Sequence, residues 1–462
     1  MDESFRDSIA TIDEEGKRKR IYPKRVSGNF AKARQRVAYV LLILLFIGPW
    51  IKIGGQPLFL LDVIGRKFVL LGQIFRPADT FIFVLLMISG VLSVIVFTVA
   101  FGRIFCGWVC PQTIFLEHVY RRIEYWIEGD RNQQIKLGKG PLNFEKIWKK
   151  GLKNLLFYLI AFAVSNVFLQ YLVGVDHWLE LVVLGPQAHL GTFSALLVFS
   201  VVFYFVFAWF REQACIVVCP YGRLQGVLLD RNSLVILYDW IRGEPRGKGK
   251  RQENDGKGDC IDCGLCVQVC PTGIDIRNGT QLECVNCTAC IDVCDSVMNK
   301  VGKEPGLIRF DSVNGVEQGN RKVMTPRAWA YSAILFILSG VVILLLATRS
   351  QVETVFLRME GQIYQKDGTK IVNIYDYTLI NKSDEAMQLR FEPIDQSAEL
   401  ILIGEDVIVL DPEEIRHGSA MLKIEREELT ASKIKVKLLV LDEDGNEIDQ
   451  ISTNFLGPLV RK

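Results

Sequence analysis

The residues of this sequence with the most specific chemistry are eight cysteines in two matching runs, "CIDCGLCVQVCP" and "CVNCTACIDVCD". Both runs have the spacing C-x-x-C-x-x-C-x-x-x-C, and Pro271 follows the first run where Asp295 follows the second. Three cysteines at this spacing can hold three corners of an iron–sulfur cubane, while the fourth reaches the other cluster. The pattern therefore predicts two [4Fe–4S] clusters. One is held by Cys260, Cys263, Cys266 and Cys294, and the other by Cys284, Cys287, Cys290 and Cys270.

Paired C-x-x-C motifs also form zinc sites, but four thiolates complete a zinc ribbon and would leave a third cysteine of each run unused. Gly264 and Thr288 follow the second cysteine of each run, where a small residue allows the backbone to turn close to a cluster. The sequence has no C-x-x-C-H haem motif and no glycine-rich nucleotide motif. The module is therefore predicted to relay single electrons from another protein or from a membrane quinol.

Four more cysteines occur in a repeated C-x-x-x-C-P motif, in "GRIFCGWVCPQ" and "REQACIVVCPYGRLQG". Proline disfavours helix at the residue before it, so Cys110 and Cys219 are each predicted to end a helix. Together with Cys106 and Cys215 they could converge on one site, since soft thiolates select Cu(I), zinc or an iron–sulfur cluster. The alternative is four buried apolar cysteines without a ligand. A reducing compartment disfavours a permanent disulfide between them.

Both motifs lie next to apolar segments of the length that crosses a bilayer. Half of the 462 residues are hydrophobic, and a membrane helix needs about 20 mostly apolar residues. Five segments qualify, at 37–53, 80–101, 152–173, 192–210 and 327–348. The predicted domains are a basic tail (1–36), a four-helix membrane domain (37–240), a ferredoxin-like domain (241–326), a fifth membrane helix (327–348) and a C-terminal domain (349–462).

The distribution of lysine and arginine predicts the orientation. The tail at 1–36 and the loop at 102–153 are rich in both, whereas the loop at 174–191 has neither. By the positive-inside rule the tail, the cysteine motifs and the ferredoxin-like domain are cytoplasmic, and the C-terminal domain is periplasmic. The tail has no apolar core of the signal-peptide type. We therefore expect a multi-pass protein of a bacterial cytoplasmic membrane, and the net charge of +2 gives no indication of nucleic-acid binding.

The C-terminal segment alternates apolar and polar residues in short runs such as "KIVNIYDYTLIN" and "KIKVKLLVL". Turn signals such as "KDG" and "DEDG" separate these runs. Several short strands at this spacing predict a β-sandwich, here of immunoglobulin-like type. The segment has no cysteine, which favours a docking role over a catalytic one.

The histidines are weaker candidates for ligands. His118 follows Cys110 by two helical turns, but its neighbours Arg121, Arg122 and Glu124 favour a surface position on a solvated helix face. His177 and His189 could line a quinol or metal site. The simpler interpretation is that both are solvated residues of an outer loop.

The order of these parts resembles the FixG/CcoG family, membrane iron–sulfur accessory proteins of the cbb-type haem–copper cytochrome c oxidase. The resemblance covers essentially the whole chain. It includes the basic tail, the outer stretch "LLDVIGRKFVLLGQIF", both C-x-x-x-C-P motifs, "CPYGRLQGVLLD", "CTACIDVCDSVM" and one final helix before the immunoglobulin-like domain.

The resemblance implies reduction of Cu(II) to Cu(I) in the cytoplasm, for copper delivery to the oxidase. It implies that the eight ferredoxin cysteines deliver electrons and that the outer domain contacts oxidase subunits or a copper chaperone. The remaining four cysteines would hold copper or gate electrons; these are Cys106, Cys110, Cys215 and Cys219.

Two other functions are open at the level of sequence. Membrane quinol dehydrogenases of nitrate and nitrous-oxide respiration share four helices, the C-x-x-x-C-P pairs and a two-cluster module, and that function predicts clusters reduced by quinol and no use of copper. A scaffold or redox sensor predicts oxygen-labile clusters without turnover. The outer domain has no haem or flavin attachment site, which favours oxidase assembly over respiration. The electron donor and homodimer formation are open.

Overall fold

A computed structural model of the chain describes residues 10–458, apart from positions 13–14, 64, 66, 77–78, 248–255, 320–323, 360, 362, 384, 396, 405–406 and 413. The chain divides into two compact units. The first draws on Met1–Ile51, Phe59–Gly65 and Phe83–Val341, and the second on Lys52–Leu58, Arg66–Ile82 and Val342–Lys462.

The α-helices of the described residues are numbered along the chain. They are α1 (Asn29–Ile47), α2 (Thr80–Phe101), α3 (Ile104–Trp108), α4 (Pro111–Ile114), α5 (Arg121–Ile127), α6 (Arg131–Lys139), α7 (Phe144–Val173), α8 (Val175–Leu184), α9 (Leu190–Phe205), α10 (Pro220–Leu228), α11 (Trp240–Gly243), α12 (Leu265–Gln268), α13 (Ala289–Lys300), α14 (Val313–Gln318) and α15 (Pro326–Ala347). Three π-helical segments, Phe115–Tyr120, Val206–Phe210 and Ala214–Val218, adjoin the C-x-x-x-C-P motifs. Segments of this kind often occur at functional sites.

The β-strands are numbered in the same way. They are β1 (Lys52–Ile53), β2 (Gln56–Pro57), β3 (Phe59–Asp62), β4 (Lys67–Leu70), β5 (Gln73–Phe75), β6 (Val235–Tyr238), β7 (Ile308–Asp311), β8 (Val352–Arg358), β9 (Gln365–Asp367), β10 (Lys370–Asn381), β11 (Met387–Pro393), β12 (Ala398–Leu402), β13 (Ile408–Leu410), β14 (Ile415–Glu425), β15 (Lys433–Leu441) and β16 (Glu447–Leu456).

Within the described part of the chain, four helical segments are long and apolar enough to cross a bilayer: Thr80–Phe101, Phe144–Val173, Leu190–Phe210 and Pro326–Ala347. They coincide with four of the five predicted segments, so these four predictions are confirmed. The α7 segment begins eight residues before the prediction at 152, because the polar turn at its start is also helical.

The first predicted segment, 37–53, falls on α1, which ends at Ile47. The first half of α1 carries Lys32, Arg34 and Arg36. The apolar part from Val37 onwards rises about 16 Å at 1.5 Å per residue, against a bilayer core of about 30 Å. A count of five spans, and the orientation of the helices, stay predictions.

The start of α1 contacts the ferredoxin-like module. Asp292 of α13 accepts hydrogen bonds from the backbone N–H groups of Phe30 (3.1 Å) and Ala31 (2.7 Å). First-turn N–H groups have no partner within their own helix, and a carboxylate there also interacts favourably with the helix dipole. The approach is close, because a Cβ at Gly28 would lie 2.2 Å from the Asp292 Cγ. A residue between two predicted cluster ligands thus fixes the start of the first helix.

A buried network of charges joins the N-terminal tail, α5, α7 and the segment after α9. Glu124 is 3% exposed and accepts two hydrogen bonds of 2.8 Å from Arg211 and one of 2.9 Å from Arg20. Lys153 of α7 lies 3.6 Å from the same carboxylate. Burial alone would raise the pKa of Glu124, but the surrounding cations, Arg211 first, hold it well below its ordinary value. The carboxylate is therefore ionised at neutral pH.

Arg121 extends this network to the ferredoxin-like module. Its side chain is 1% exposed and donates to Glu212 (3.4 Å) and to the backbone carbonyl of Pro271 (3.1 Å). The prediction that Arg121 and Glu124 lie on a solvated helix face is therefore wrong; only Arg122 of that stretch is exposed. One amphipathic helix offers no partners for such charges, whereas here the tail and the second C-x-x-x-C-P segment supply them.

The ferredoxin-like module is built on β6 and β7, which pair antiparallel from Val235↔Asp311 to Tyr238↔Ile308. Helices α12 and α13 each begin within one cysteine run and pack against each other. Its apolar core contains Ile236, Met298 and Leu307 together with Cys260 and Cys266. Cysteines thus lie within the core of the module, where burial excludes water from the bonds they make.

The C-terminal domain, in the second unit, is a sandwich of two antiparallel sheets. The strand orders are β12-β14-β10-β8, with β9 also paired to β10, and β13-β11-β15-β16. Alternate residues along β10 and β15 are buried, as their apolar–polar alternation predicts. Tyr375, Leu379, Leu422, Leu438 and Phe455 are fully buried between the sheets. The predicted immunoglobulin-like sandwich is confirmed.

Asp79, at the start of α2, anchors the second unit. Its carboxylate is 6% exposed and accepts hydrogen bonds from Arg349 (2.6 Å and 3.2 Å) and from Lys382 (3.0 Å). Burial alone would raise the pKa of Asp79, but the hydrogen bonds from these two cations hold it below its ordinary value. The stabilisation is present above the carboxyl pKa of the unfolded chain, and it is lost as the pH falls through the lower pKa of the folded chain.

Asp79→Asn is expected to destabilise the C-terminal domain by about 3–5 kcal/mol, because it leaves the nearly buried Arg349 without a carboxylate and Lys382 with Glu353 alone, at 3.1 Å. The survival of this domain in urea, followed by pulse proteolysis of the full-length protein, measures the effect. The matched control is Asp367→Asn, which removes an ion pair of 2.8 Å with Lys423 from an exposed carboxylate. Equal stability losses in the two variants would contradict the anchoring role of Asp79.

Candidate functional site

Four cysteines surround a small cavity in the ferredoxin-like module. They come from the first run and the end of the second: Cys260, Cys263, Cys266 and Cys294. Met298, Leu307 and Ile308 form the apolar wall behind them. The structure therefore brings together the four residues that the spacing assigns to one cluster.

The other four ferredoxin cysteines, Cys270, Cys284, Cys287 and Cys290, line a second cavity. Cys266 lines both cavities, so the two sites are neighbours. All twelve cysteines are free thiols. Within the described residues no three His, Cys, Asp or Glu side chains lie close enough to hold a single metal ion. A cubane has iron at four corners and takes a wider set of thiols than one ion does.

The two cysteine loops have the same backbone conformation. Asp262 (φ 51°) and Gly264 (φ 65°) of the first run correspond to Asn286 (φ 52°) and Thr288 (φ 66°) of the second, all in the left-handed region. Alternating left-handed residues turn backbone N–H groups toward one point and form a concavity for anions, as at many iron–sulfur sites. Thr288 is β-branched and strained in this conformation. The thiol lining and the repeated strained loop fit a pair of [4Fe–4S] clusters.

Burial governs the chemistry of these thiols. It raises the pKa of Cys266, Cys284 and Cys294 to about 12 in each case. A buried thiol without a metal therefore keeps its proton at neutral pH, and ligation must displace that proton. The loss of a cluster would leave neutral thiols in an apolar core rather than reactive thiolates.

Asp295, which replaces the second proline of the ferredoxin pattern, has a structural role. It lies inside α13, and its carboxylate accepts a hydrogen bond of 2.7 Å from the backbone N–H of Gly306. A proline here would lack the N–H that a helix interior requires. Asp295 thus allows α13 to continue past Cys294 and ties it to the segment before β7.

The C-x-x-x-C-P motifs have similar backbones at their second cysteines, although an α-helix precedes the first and a π-helix the second. The π-helix before Cys219 ends at Val218, and α3 ends at Trp108, just before Cys110. Both second cysteines have extended ψ angles and begin a new helix with proline at its first position. The prediction that Cys110 and Cys219 end a helix is confirmed within one residue. Since no helix continues through either motif, a shared helix face does not align the thiols.

The four thiols of the two C-x-x-x-C-P motifs, here called the membrane-edge thiols, lie near one another: Cys106, Cys110, Cys215 and Cys219. Burial, with a smaller contribution from the neighbouring thiols Cys110 and Cys219, raises the pKa of Cys106 to about 11 and that of Cys215 to about 12, and Arg103 opposes both increases. They do not form a preformed site for one ion, since the described residues contain no such group.

Cys106 has a specific polar environment that the sequence did not reveal. Its Sγ lies 2.9 Å from the Oε1 of Gln225, which is fully buried and also accepts from the Nε of Arg103 at 3.3 Å. Gln225 in turn donates to Thr98 (3.1 Å) and Tyr221 (2.6 Å). Arg103 and Gln225 each lie within one of the two quoted motif stretches, so a polar partner for Cys106 could have been sought among the neighbours of the motif cysteines.

The first C-x-x-x-C-P segment packs directly on the second cysteine run. Cys106 shares an apolar cluster with Val285, Cys287 and Ala289. A Cβ at Gly107 would lie 2.4 Å from the Val285 carbonyl oxygen and 2.9 Å from the Cys287 backbone nitrogen. A predicted cluster ligand and a membrane-edge thiol are therefore adjacent, and only a glycine permits the approach.

His118 is not a surface residue, contrary to the prediction from its polar neighbours. Its side chain is 8% exposed, and neither ring nitrogen has a hydrogen-bond partner among the described residues. Burial lowers its pKa to about 4, so the ring is neutral at neutral pH. His177 is exposed, as predicted, and lies 3.2 Å from Glu180, but it belongs to helix α8 rather than to a loop. His118 lies in a π-helix, Phe115–Tyr120, which the sequence pattern did not predict, and its side chain is buried there.

Comparison with known proteins agrees with this site. Sequence models of three families match the chain, described as a "4Fe-4S binding domain" (residues 83–132), a "4Fe-4S dicluster domain" (residues 210–313) and an "IG-like fold at C-terminal of FixG" (residues 342–458). Protein RdxB of Cereibacter sphaeroides is 35% identical over 389 residues, which cover 80% of this chain and 81% of that protein. The chain belongs to the FixG/CcoG family.

Two further family members show the same relationship. Protein RdxA of Cereibacter sphaeroides is 36% identical over 400 residues, covering 82% of this chain and 83% of that protein. Nitrogen fixation protein FixG of Rhizobium meliloti is 35% identical over 306 residues, covering 64% of this chain and 58% of that protein. Family membership, the two cysteine-lined cavities and the apolar helices together define an iron–sulfur membrane protein of electron transfer.

Gly107→Ala is expected to disturb the cavity of the second cysteine run and leave the other cavity intact, because the added Cβ meets backbone rather than a flexible side chain. Iron content should fall by about half, from two [4Fe–4S] clusters per chain toward one. Iron analysis and low-temperature EPR of anaerobically purified protein measure this. Gly90→Ala, in α2 with no atom within 4 Å of the added Cβ, is the matched control. Full iron content in Gly107→Ala would show that the contact is not required.

Proposed function

We propose that this protein passes single electrons from a cytoplasmic donor to Cu(II), and that the resulting Cu(I) serves the assembly of a cbb-type cytochrome c oxidase. The observation that carries this proposal is the packing of Cys106 against the loop of Cys287. This packing brings a thiol, a soft ligand of the kind that Cu(I) prefers, beside a loop whose cysteines are proposed to hold a cluster, and so supports the proposal. Family membership supports the same function.

The eight ferredoxin cysteines are the proposed ligands of two [4Fe–4S] clusters, divided as their two cavities divide them. A cluster of this type supplies or accepts one electron at a time. The chain's own contribution is to hold most of these thiols in an apolar core, with Cys263 exposed, and to direct backbone N–H groups at them. Both features tune a bound cluster's potential.

The membrane-edge thiols are proposed to bind the product, Cu(I). Thiolates are soft ligands and hold Cu(I), whereas the Cu(II) substrate prefers nitrogen and oxygen ligands. Gln225 and Arg103 keep Cys106 in place. Because the pKa values of Cys106 and Cys215 lie well above neutral, each thiol must release a proton when it binds copper. Occupancy by copper should therefore increase with pH.

The proposed orientation has the tail, both thiol pairs and the ferredoxin-like module in the cytoplasm. The excess of lysine and arginine in these segments supports it. With α1 as a first, short span, the four apolar helices bring the C-terminal sandwich to the periplasm. There it is proposed to contact oxidase subunits or a copper chaperone. The domain boundaries predicted from the sequence are proposed to hold in this topology.

The proposal predicts that protein reduced under anaerobic conditions loses one electron for each Cu(II) converted to Cu(I). Stopped-flow absorbance of the protein and of an optical Cu(I) indicator, recorded together, measures both quantities. Equal amplitudes and equal rates support a cupric reductase. Protein that stays reduced with Cu(II) but reoxidises with a quinone would contradict the proposal and favour a respiratory relay.

Replacement of both Cys106 and Cys110 by serine should abolish retention of Cu(I) and leave the iron–sulfur absorbance intact. The same pair of substitutions in the second motif, Cys215→Ser and Cys219→Ser, should have the same effect, because all four thiols are proposed to bind Cu(I). Bound Cu(I) after gel filtration and the absorbance of the same fraction are measured. Loss of the iron–sulfur absorbance in the first variant would instead assign its thiols to iron or to folding.

A further inference from the structure

A basic cavity opens beside the second cysteine run, and none of the four membrane-edge thiols lines it. It encloses about 590 Å³ between the end of the N-terminal tail, the first turns of α1, the π-helix with α5, and the loop of Cys287. Cys287, Val269 and Ala289 form one of its walls. Cys287 is itself a lining residue, so an occupant would lie directly against a proposed cluster ligand.

The charge of this cavity is strongly positive. Its lining has five cationic side chains and one carboxylate: Lys24, Arg25, Lys32, Arg34 and Arg122, against Glu117. Arg34 lies deeper than the others, donates to the Cys287 carbonyl at 2.8 Å, and pairs with Glu117 at 3.8 Å. Glu117 is also bonded by Arg121, so its charge is compensated. The four remaining cations have no carboxylate partner within the described part of the chain and leave a net attraction for anions.

His118 gives the cavity a ligand atom. It lines the cavity with a neutral ring that is more than nine-tenths buried, and neither nitrogen is bonded within the described residues. A buried polar side chain without a partner costs free energy, which a bound ligand would recover. Neutral imidazole is a ligand that suits copper.

We propose that this cavity binds an anionic chelate of Cu(II), with the four outer cations attracting the chelate and His118 coordinating the metal. The inference rests on the proposed cupric reductase function and assigns its substrate class and entry site. Cu(II) in the chelate gains one electron and becomes Cu(I), and the reduced protein loses one. A cytoplasmic one-electron donor of the flavin or iron–sulfur class restores the protein. Cu(I) binds oxygen ligands poorly, so it leaves the chelate and passes to the membrane-edge thiols.

The proposed attraction of the cavity for anions is tested by comparing the reduction of Cu(II) complexes of opposite charge. Prereduced full-length protein in neutral phosphatidylcholine nanodiscs is mixed with anionic Cu(II)–citrate or with a cationic Cu(II)–bipyridine complex, and Cu(I) is trapped optically. Lys24→Glu with Lys32→Glu should slow citrate reduction about tenfold at low salt and should not slow the cationic complex. Lys139→Glu with Lys300→Glu makes the same change in charge outside the cavity and should have no such effect. Equal citrate rates in the two double variants would overturn the proposal.

A binding measurement separates the inference from the function on which it rests. Cu(II)–citrate added to oxidised protein should show nitrogen superhyperfine structure in its EPR spectrum, lost in His118→Gln and kept in His177→Gln. If the nitrogen signal persists in His118→Gln, the cavity is not the site. If the signal disappears on replacing the neutral lipid with phosphatidylglycerol, the cavity holds a lipid headgroup, and the proposal is overturned. If nitrogen coordination is seen but neither Cu(II) complex is reduced, the site stands and the reductase function fails.

Discussion

The ion pair between Glu124 and Arg211 is the constraint on which the first unit depends. Glu124 follows the first C-x-x-x-C-P motif, and Arg211 precedes the second, so their two hydrogen bonds of 2.8 Å tie the two copies of the repeat together. Arg211 takes a left-handed conformation (φ 54°), a strain of about 1–3 kcal/mol for a residue of this kind. Removal of one partner from such a buried pair costs about 3–5 kcal/mol, because the other charge is left buried and uncompensated. The four membrane-edge thiols gather because this pair fixes the segments that carry them.

The N-terminal tail gains its role from the same network. Its sequence is polar and has no amphipathic pattern, yet Arg20 reaches Glu124 and the backbone N–H of Lys24 donates to the Gln268 carbonyl at 2.8 Å. Asp292 then fixes the beginning of α1. A charged segment that would otherwise only orient a membrane helix is thus packed between the membrane domain and the cluster loops. This packing builds the basic cavity, with Cys287 in its wall.

Much of this protein could be predicted from its sequence. The cysteine spacing predicted which thiols share a cavity, because a rigid ligand geometry imposes a spacing that few other structures require. Apolar length predicted four membrane helices to within a few residues for α2, α9 and α15. Whether an individual charged side chain is buried or exposed could not be predicted. Arg121, Glu124 and His118 have the pattern of a solvated helix face, and only contacts from distant segments bury them.

The same limit applies to the neighbourhood of Cys106. Its bond to Gln225 and its packing on Cys287 join residues more than a hundred positions apart. Local periodicity carries no information about such pairs. Motif repetition did indicate that the two C-x-x-x-C-P segments are equivalent, and their matching backbones at Cys110 and Cys219 bear this out.

The central claim is a division of labour, in which the eight ferredoxin cysteines bind iron and the four membrane-edge thiols do not. Quantitative iron and acid-labile sulfide analysis with Mössbauer spectroscopy on anaerobically purified protein tests it most directly. The account predicts about eight iron atoms per chain, all in [4Fe–4S] environments, four for each of the two cubanes. A content of about twelve would place a third cluster on Cys106, Cys110, Cys215 and Cys219 and contradict the assignment of those thiols to copper.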